Sequence, residues 1–508
     1  MIKKIIAIII ISCISIAFLS ACYDATPYRG VQLPRYDYTL DELGEHITNI
    51  PFDEYLYNDA PAGSIFDITD FGAALASADN SGYINAAIDA ASDSGGGVVK
   101  ISGGAYTTST VILKDNVVLW IERGSALVSL DYAQNKASDN KLSGGVIYAE
   151  CASNIAIIGG GRIDGRGGSF CEEPAKTEKF LPMNPFSLKK YVLEHRSRIK
   201  FEKKNSGRVN LVNIVDCSGV VIKGVELFES ACWTLCVKDS EFVEIKDIVI
   251  NNDIGVANSD GIDIVSSSNV MIEHCFVVTG DDGICIKSNG KNNVSDISIT
   301  KCTVMSLANC FKIGTETKKD ITRITLTDCD FFKAEITGGY SGIAIESCDG
   351  ANVSELTVSN IRMSNITSPL LIWLGARFMG VDGEKIVGSI SNITITDIIA
   401  GGVDLPSAIV GVEYRNAVYK VKDISIQNFY IVYREAEQEL DISNFPNEIS
   451  MTGYPEITRV SHIYIINHEL SSYWDLPNYG IFRQHTENIE LLNINIIPRS
   501  LDEERISY

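Results

Sequence analysis

A short strand with one alternating pattern recurs through most of this chain, and a chain that repeats at so short a period has few folds open to it. Asn154-Ile-Ala-Ile-Ile, Gly219-Val-Val-Ile-Lys-Gly-Val, Phe242-Val-Glu-Ile-Lys-Asp-Ile and Val270-Met-Ile-Glu-His share the pattern. Val294-Ser-Asp-Ile-Ser-Ile, Ile321-Thr-Arg-Ile-Thr-Leu, Val353-Ser-Glu-Leu-Thr-Val, Asn392-Ile-Thr-Ile-Thr and Val421-Lys-Asp-Ile-Ser-Ile continue it. Apolar residues fall at i and i+2, and Asn, Asp or Gly punctuates the ends. A second, shorter strand interleaves: Gly261-Ile-Asp-Ile, Gly283-Ile-Cys-Ile, Phe311-Lys-Ile and Gly342-Ile-Ala-Ile. Repeats of roughly 20–30 residues built only from strands and turns predict an all-β chain wound as a single-stranded, right-handed parallel β-helix. A propeller would need longer repeats with regular hairpin signals, which are lacking. One amphipathic helix is expected over Tyr83–Ser92, ahead of Gly95-Gly-Gly, where it would cap the open end of the stack.

The cysteines agree with a stack. Cys275, Cys302 and Cys329 are equally spaced in matched contexts, as one interior position repeated would be. Eleven Cys remain beyond Cys22, an odd number, in a chain long enough to need no covalent staples. No Cys/His cluster has zinc spacing, so no metal or cofactor is expected. The chain carries 43 Lys+Arg against 65 Asp+Glu, a net charge of −22. That balance argues against nucleic acid and anionic membrane as partners, because phosphate contacts need basic surface. It reverses locally over 189–208, where Lys and Arg outnumber acidic residues. The bland reading of that stretch is a solvated loop; the functional one is steering of an anionic ligand.

At the N-terminus, Lys3 and Lys4 precede an apolar run from Ile5 to Leu19 that ends in Leu19-Ser-Ala-Cys22. This is a secretory signal, and the Cys directly after Leu-Ser-Ala resembles the bacterial lipobox. Residues 1–21 are expected to be a lipoprotein signal peptide, Cys22 the lipidated residue, 22–60 a tether and 61–508 the β-helix domain. The expectation is a cell-envelope lipoprotein that meets the membrane only through this anchor, as a monomer. An ordinary cleaved signal with a chance Cys is the alternative.

Aligning the short strands on their Gly-Ile-x-Ile core gives columns. Ile262, Ile284, Phe311 and Ile343 point inward; Asp263, Cys285, Lys312 and Ala344 point outward by the period of two. Just before the strand, Asp260, Asp282, Asn309 and Ser341 form another column, with Asp281 beside Asp282. Coils in such a stack lie about 4.8 Å apart, so Asp260, Asp281 and Asp282 should share one patch. Carboxylates that close repel, and one should hold a proton more readily than a free Asp. Glycoside hydrolysis wants this: an acid for the leaving oxygen and carboxylates to orient water. Turn Asp residues at strand ends, or a calcium site, would also explain the cluster.

Asn258-Ser-Asp-Gly-Ile-Asp263, followed by Thr279-Gly-Asp-Asp-Gly-Ile-Cys-Ile-Lys287, resembles the two acidic motifs of the polygalacturonase family, glycoside hydrolase family 28. Phe66-Asp-Ile-Thr-Asp-Phe-Gly-Ala73 and Gly161-Arg-Ile-Asp-Gly165 match as well. The resemblance implies a secreted β-helix that hydrolyses pectic or related polysaccharides with inversion. Asp281 then resembles the general acid, and Asp260 with Asp282 the pair that activates water. The spacing alone suggests the closer, retaining geometry. Two family motifs are altered: Gly-His-Gly aligns with Ala308-Asn309-Cys310, and Arg-Ile-Lys with Ala344-Ile345-Glu346. A literal Arg198-Ile199-Lys200 lies upstream of the acids. Asn258, Lys287, Asn309, Lys312 and Glu346 are the expected substrate-binding residues, with Trp233 and Trp373 either core or sugar-stacking platforms. The expected activity is a lipid-anchored glycoside hydrolase acting on a glycan other than plain polygalacturonate. A non-catalytic glycan-binding β-helix and a polysaccharide lyase, with Lys312 as its base, are the alternatives.

Overall fold

The computed structural model describes residues 60–172, 202–203, 207–433 (apart from 254–255, 307, 333–340, 365, 367, 378–385 and 404–405), 479–497 and 506–507. The expected signal peptide, Cys22, nearly all of the expected tether, Arg198-Ile199-Lys200 and the basic side chains ahead of Gly207 lie outside the described residues.

The repeat folds as a right-handed parallel β-helix. Each middle coil has three strands, as in Leu235–Lys238, Glu241–Lys246 and Val249–Asn251, followed by Ile262–Val265, Ser268–Glu273 and Phe276–Thr279 in the next. Each pairs in parallel with its equivalent one coil on. The first two are the strands the sequence pattern predicts. The third is not legible there: it is only three or four residues long, too short to show an alternation. Further along it merges with its predecessor into strands such as Ile321–Phe332.

The corners are set by residues in the left-handed region, which L side chains enter at a cost and Asn and Asp enter most easily. Asp247, His274, Lys301 and Asp328 form one such ladder, at φ 51°, 52°, 54° and 55°. Beside it runs the cysteine column. Cys275, Cys302 and Cys329 are free and at most 1% exposed, packed in the core as small apolar groups. They belong to the same core as the inward column Ile262, Ile284, Phe311, Ile343 and Leu370.

Helix α1 (Ser81–Asp93) covers the expected segment and buries Ile84, Ala87, Ile88 and Ala91, the i, i+3, i+4, i+7 stripe of a cap. A second helix, α2 (Tyr132–Ala137), was not anticipated, although its signal was present. The Asp131 side chain accepts from the Gln134 N–H while the Gln134 side chain caps Asp131, a capping box with Asp in place of Ser or Thr.

Candidate active site

Six strands carry the site on the outer face of one sheet: β1 (Leu235–Lys238), β2 (Ile262–Val265), β3 (Ile284–Ser288), β4 (Phe311–Thr317), β5 (Ser341–Ser347) and β6 (Ser368–Leu374). The predicted columns are the observed register. Asp263 pairs with Cys285, Cys285 with Lys312, and Lys312 with Ala344. The Asp-Gly step before β2 and β3 has a packing reason. A Cβ on Gly261 would meet the Gly283 carbonyl at 2.4 Å, and one on Gly283 would meet Val304 at 2.3 Å. Glycine there lets successive coils close up, which brings the preceding Asp residues together.

Asp260, Asp281 and Asp282 each place a carboxylate oxygen within 4.8 Å of the other two. Asp260 and Asp282 are 3% and 5% exposed, and Asp281 is half-buried. Asn258, at φ 57°, turns its backbone N–H onto Asp281 Oδ2 at 3.2 Å. The turn that carries Ser259 and Asp260 is pinned from below by Asn252, whose amide donates to Thr234 Oγ1 at 2.7 Å and to the Ser259 carbonyl at 3.1 Å. Sequence reasoning missed Asn252. Its signal was an Asn at the end of a strand otherwise made of Val and Ile.

Two buried ammonium groups face the acids, Lys287 serving Asp260 and Asp263 and Lys312 serving Asp282. Lys287 Nζ lies 2.9 Å from Asp260 Oδ2, 2.5 Å from Asp263 Oδ1 and 3.9 Å from the centre of the Trp233 ring. Lys312 Nζ lies 3.0 Å from Asp282 Oδ2. Both lysines are held well above their ordinary pKa: burial works against the charge, and the facing carboxylates overcome it. On Asp282, burial favours the proton, but Lys312, then Lys287 and the Asn309 hydrogen bond outweigh it and hold the carboxyl below its usual range. Asp260 goes the other way. Burial raises its pKa well above normal, only partly offset by Lys287, with Asp263 adding to the rise. Asp263 is pushed up to about 6 by burial. Two carboxyls share one ammonium, so that pair carries a proton more readily than an isolated Asp. Among the described residues, Asp260 Oδ1 is buried with no hydrogen-bond partner.

The predicted binding residues divide. Asn309 donates to Asp282 Oδ1 at 2.7 Å, and its own Oδ1 accepts the Ser341 N–H at 3.0 Å, so it fixes a carboxylate from 2% exposure. Lys287 is 3% exposed with its charge committed to Asp260 and Asp263, which leaves it no open face for a sugar. Glu346 is corrected likewise. It is 1% exposed, Oε2 has no partner, and burial lifts its pKa to about 7. Its oxygen and Cβ lie where a side chain on Gly314 would go. Ala344 and Trp373 belong to a second apolar layer on the outer face, with Cys348, Leu371, Ala408 and Val410. Trp373, at 2% exposure, is thus core, while Trp233 covers Lys287 from a half-buried position.

Asp260, Asp281 and Asp282 are also the only group among the described residues spaced to hold a divalent cation. The two lysines already meet much of the charge that would draw one. What the arrangement offers is one ionised carboxylate, one buried carboxyl that favours a proton and a third on the rim, the division of roles that acid–base chemistry uses.

The cluster thus lies on the outer sheet of a parallel β-helix. Residues 107–451 match the model of the glycosyl hydrolases family 28, and the chain belongs to that family. It is 26% identical over 293 residues to an endo-polygalacturonase of Pectobacterium carotovorum subsp. carotovorum, covering 54% of this chain and 68% of the relative. It is 24% identical over 441 residues to polygalacturonase QRT2 of Arabidopsis thaliana, covering 84% and 93%. In fold it is similar to the exopolygalacturonase of Thermotoga maritima, with a TM-score of 0.56 at 20% identity over 78% of this chain and 91% of that one.

Proposed function

We propose that this polygalacturonase-like enzyme hydrolyses a glycosidic bond of a pectic glycan with inversion, Asp281 acting as general acid and Asp260 with Asp282 activating the water. The convergence of three carboxylates within 4.8 Å supports acid–base hydrolysis above all else, and inversion is what the family resemblance implies. In the proposed step Asp281 gives its proton to the glycosidic oxygen as the C1–O bond breaks. The water oxygen attacks C1 from the other face while Asp260 and Asp282 orient it, and its proton passes to Asp282, the ionised member of the pair, which Lys312 and Asn309 keep ionised and aimed. Trp233 and Asn258 are the half-buried groups on the rim that a sugar would meet.

Unbranched polygalacturonate is disfavoured as substrate, because β5 offers Ala344 and Glu346 where the resembling family has cations, and both are buried. A lyase is disfavoured because Lys312, its candidate base, holds its proton against Asp282. Incubation with a panel of pectic oligosaccharides, reading reducing ends and the absorbance of unsaturated products, tests the activity. Reducing ends alone support hydrolysis, both signals mean a lyase, and neither leaves a glycan-binding protein. We propose further that Cys22 is lipidated and anchors the enzyme at the cell envelope; Cys22→Ser should release it from the membrane fraction.

A further inference from the structure

Arg208 stands apart from the other cations near the site. Lys287, Lys312 and Arg377 each face a carboxylate within 3.0 Å. Arg208 is half-buried and faces no carboxylate among the described residues; its polar partners there are two carbonyl oxygens, with Nε donating to Ala231 O at 2.5 Å and Nη2 donating to Ala257 O. Those two bonds cross the coils. Asn210 lies two residues after Arg208, and the strand it opens pairs with β1, which pairs with β2. Arg208 therefore starts two coils before Asp260, and its side chain spans the coil between to end beside Ala257. The next residue, Asn258, gives its N–H to Asp281. The guanidinium so lies at the rim of the acidic cluster, where the charges of both Arg208 and Asp260 act on the Cys232 thiol.

The two carbonyls occupy the Nε/Nη2 edge of the fork. Among the described residues nothing takes the Nη1/Nη2 end, a pair of parallel donors with the spacing of a carboxylate. In a chain of net charge −22, a half-buried guanidinium with no counter-ion among the described residues is unusual. The carbonyls fix its position without neutralising it, and arginine keeps its charge at any working pH.

We infer that Arg208 is a substrate-recognition residue, receiving the carboxylate of a uronic acid unit of the glycan on the side of Asp260 away from β5. The inference rests on the glycan-hydrolase reading above and narrows it. The groove has an anion receptor on the Arg208 side, and on the β5 side a buried carboxyl and an apolar layer. The glycan it fits is thus one with a uronate on the first side and a neutral sugar on the second.

The test uses the full chain carrying Asp281→Asn, which slows turnover by about 10²- to 10⁴-fold, and calorimetric titration with pectic oligosaccharides that alternate uronic acid and neutral sugars. The same oligosaccharides are then used after reduction of their carboxyls to neutral sugars. The carboxylate form should bind about 10- to 100-fold more tightly, the size of a charge-assisted pair. Arg208→Gln should erase that difference while leaving the affinity for the reduced form unchanged. Arg208→Lys, which keeps the charge and loses the fork, should retain part of the preference and serves as the readout if the Gln variant does not fold. Equal affinity for both forms in the parent, equal loss on both forms in either variant, undiminished preference in Arg208→Gln, or no binding at all would overturn the assignment. Failure of the hydrolase reading looks different: the unmutated chain would release no reducing ends while the carboxylate preference in binding persisted.

Discussion

Lys312 Nζ sits 3.0 Å from Asp282 Oδ2, joining the outward column of β4 to the acid that precedes β3. The bond ties the charge state of one carboxylate to a residue one coil away, and Asp282 stays ionised in a place where burial alone would protonate it. Replacing Lys312 by Met removes the main group that lowers this pKa. The acid limb of the pH profile of kcat/KM should then move upward by about one unit or more, because Asp282 takes up its proton at higher pH. A fall in rate with an unmoved acid limb would mean that Lys312 only supports packing.

The three acids are expected to be separable from their neighbour. Asp281→Asn, Asp282→Asn and Asp260→Asn should each cost about 10²- to 10⁴-fold in kcat, with circular dichroism unchanged. Asp263→Asn should retain more activity than any of them, since Lys287 then serves Asp260 alone. Equal damage from Asp263→Asn would place the chemistry on the outward column of β2 instead.

Stability should fall as the solution becomes more alkaline. The Glu346 carboxyl titrates at about 7 in the fold against 4.5 for a free side chain. Between those values the folded state binds more protons than the unfolded one, so rising pH favours unfolding. Glu346→Gln removes that term. It should raise stability at pH 8 by on the order of 3 kcal/mol and change little at pH 4, read as urea midpoints at the two pH values. Asp263, at about 6, contributes a slope of the same sign over a lower window.

The stereochemistry of the product separates two ideas. The acids' oxygens lie within 4.8 Å, shorter than the roughly 6.5–9.5 Å common among inverting glycosidases, whereas the family resemblance implies inversion. Proton NMR of the first-formed product should show the anomer opposite to that of the substrate. Retention would make one of the three acids a nucleophile.

Much of this protein was legible in the order of its residues. Local alternation, β-branching and Asn or Asp at the corners are properties of the chain within a few residues, and they determined the β-helix, its register and the cap α1. Register in turn settled which acids meet, because a repeat of constant length stacks equivalent positions. The column Asp260, Asp282, Asn309 follows from counting alone. Counting does not say how deep a column lies. Lys287 and Glu346 read as outward-facing and therefore available, yet both are nearly closed off from solvent. Burial depends on what covers a face, and the pKa values of Asp260 and Asp282 diverge because one shares its lysine and the other has a lysine and an amide to itself. Arg208 was visible only as the last member of a basic stretch. Its reach across a whole coil to the Ala257 carbonyl, and so to the rim of the acids, is a relation between residues far apart in the chain, which only the stacking of the coils brings about.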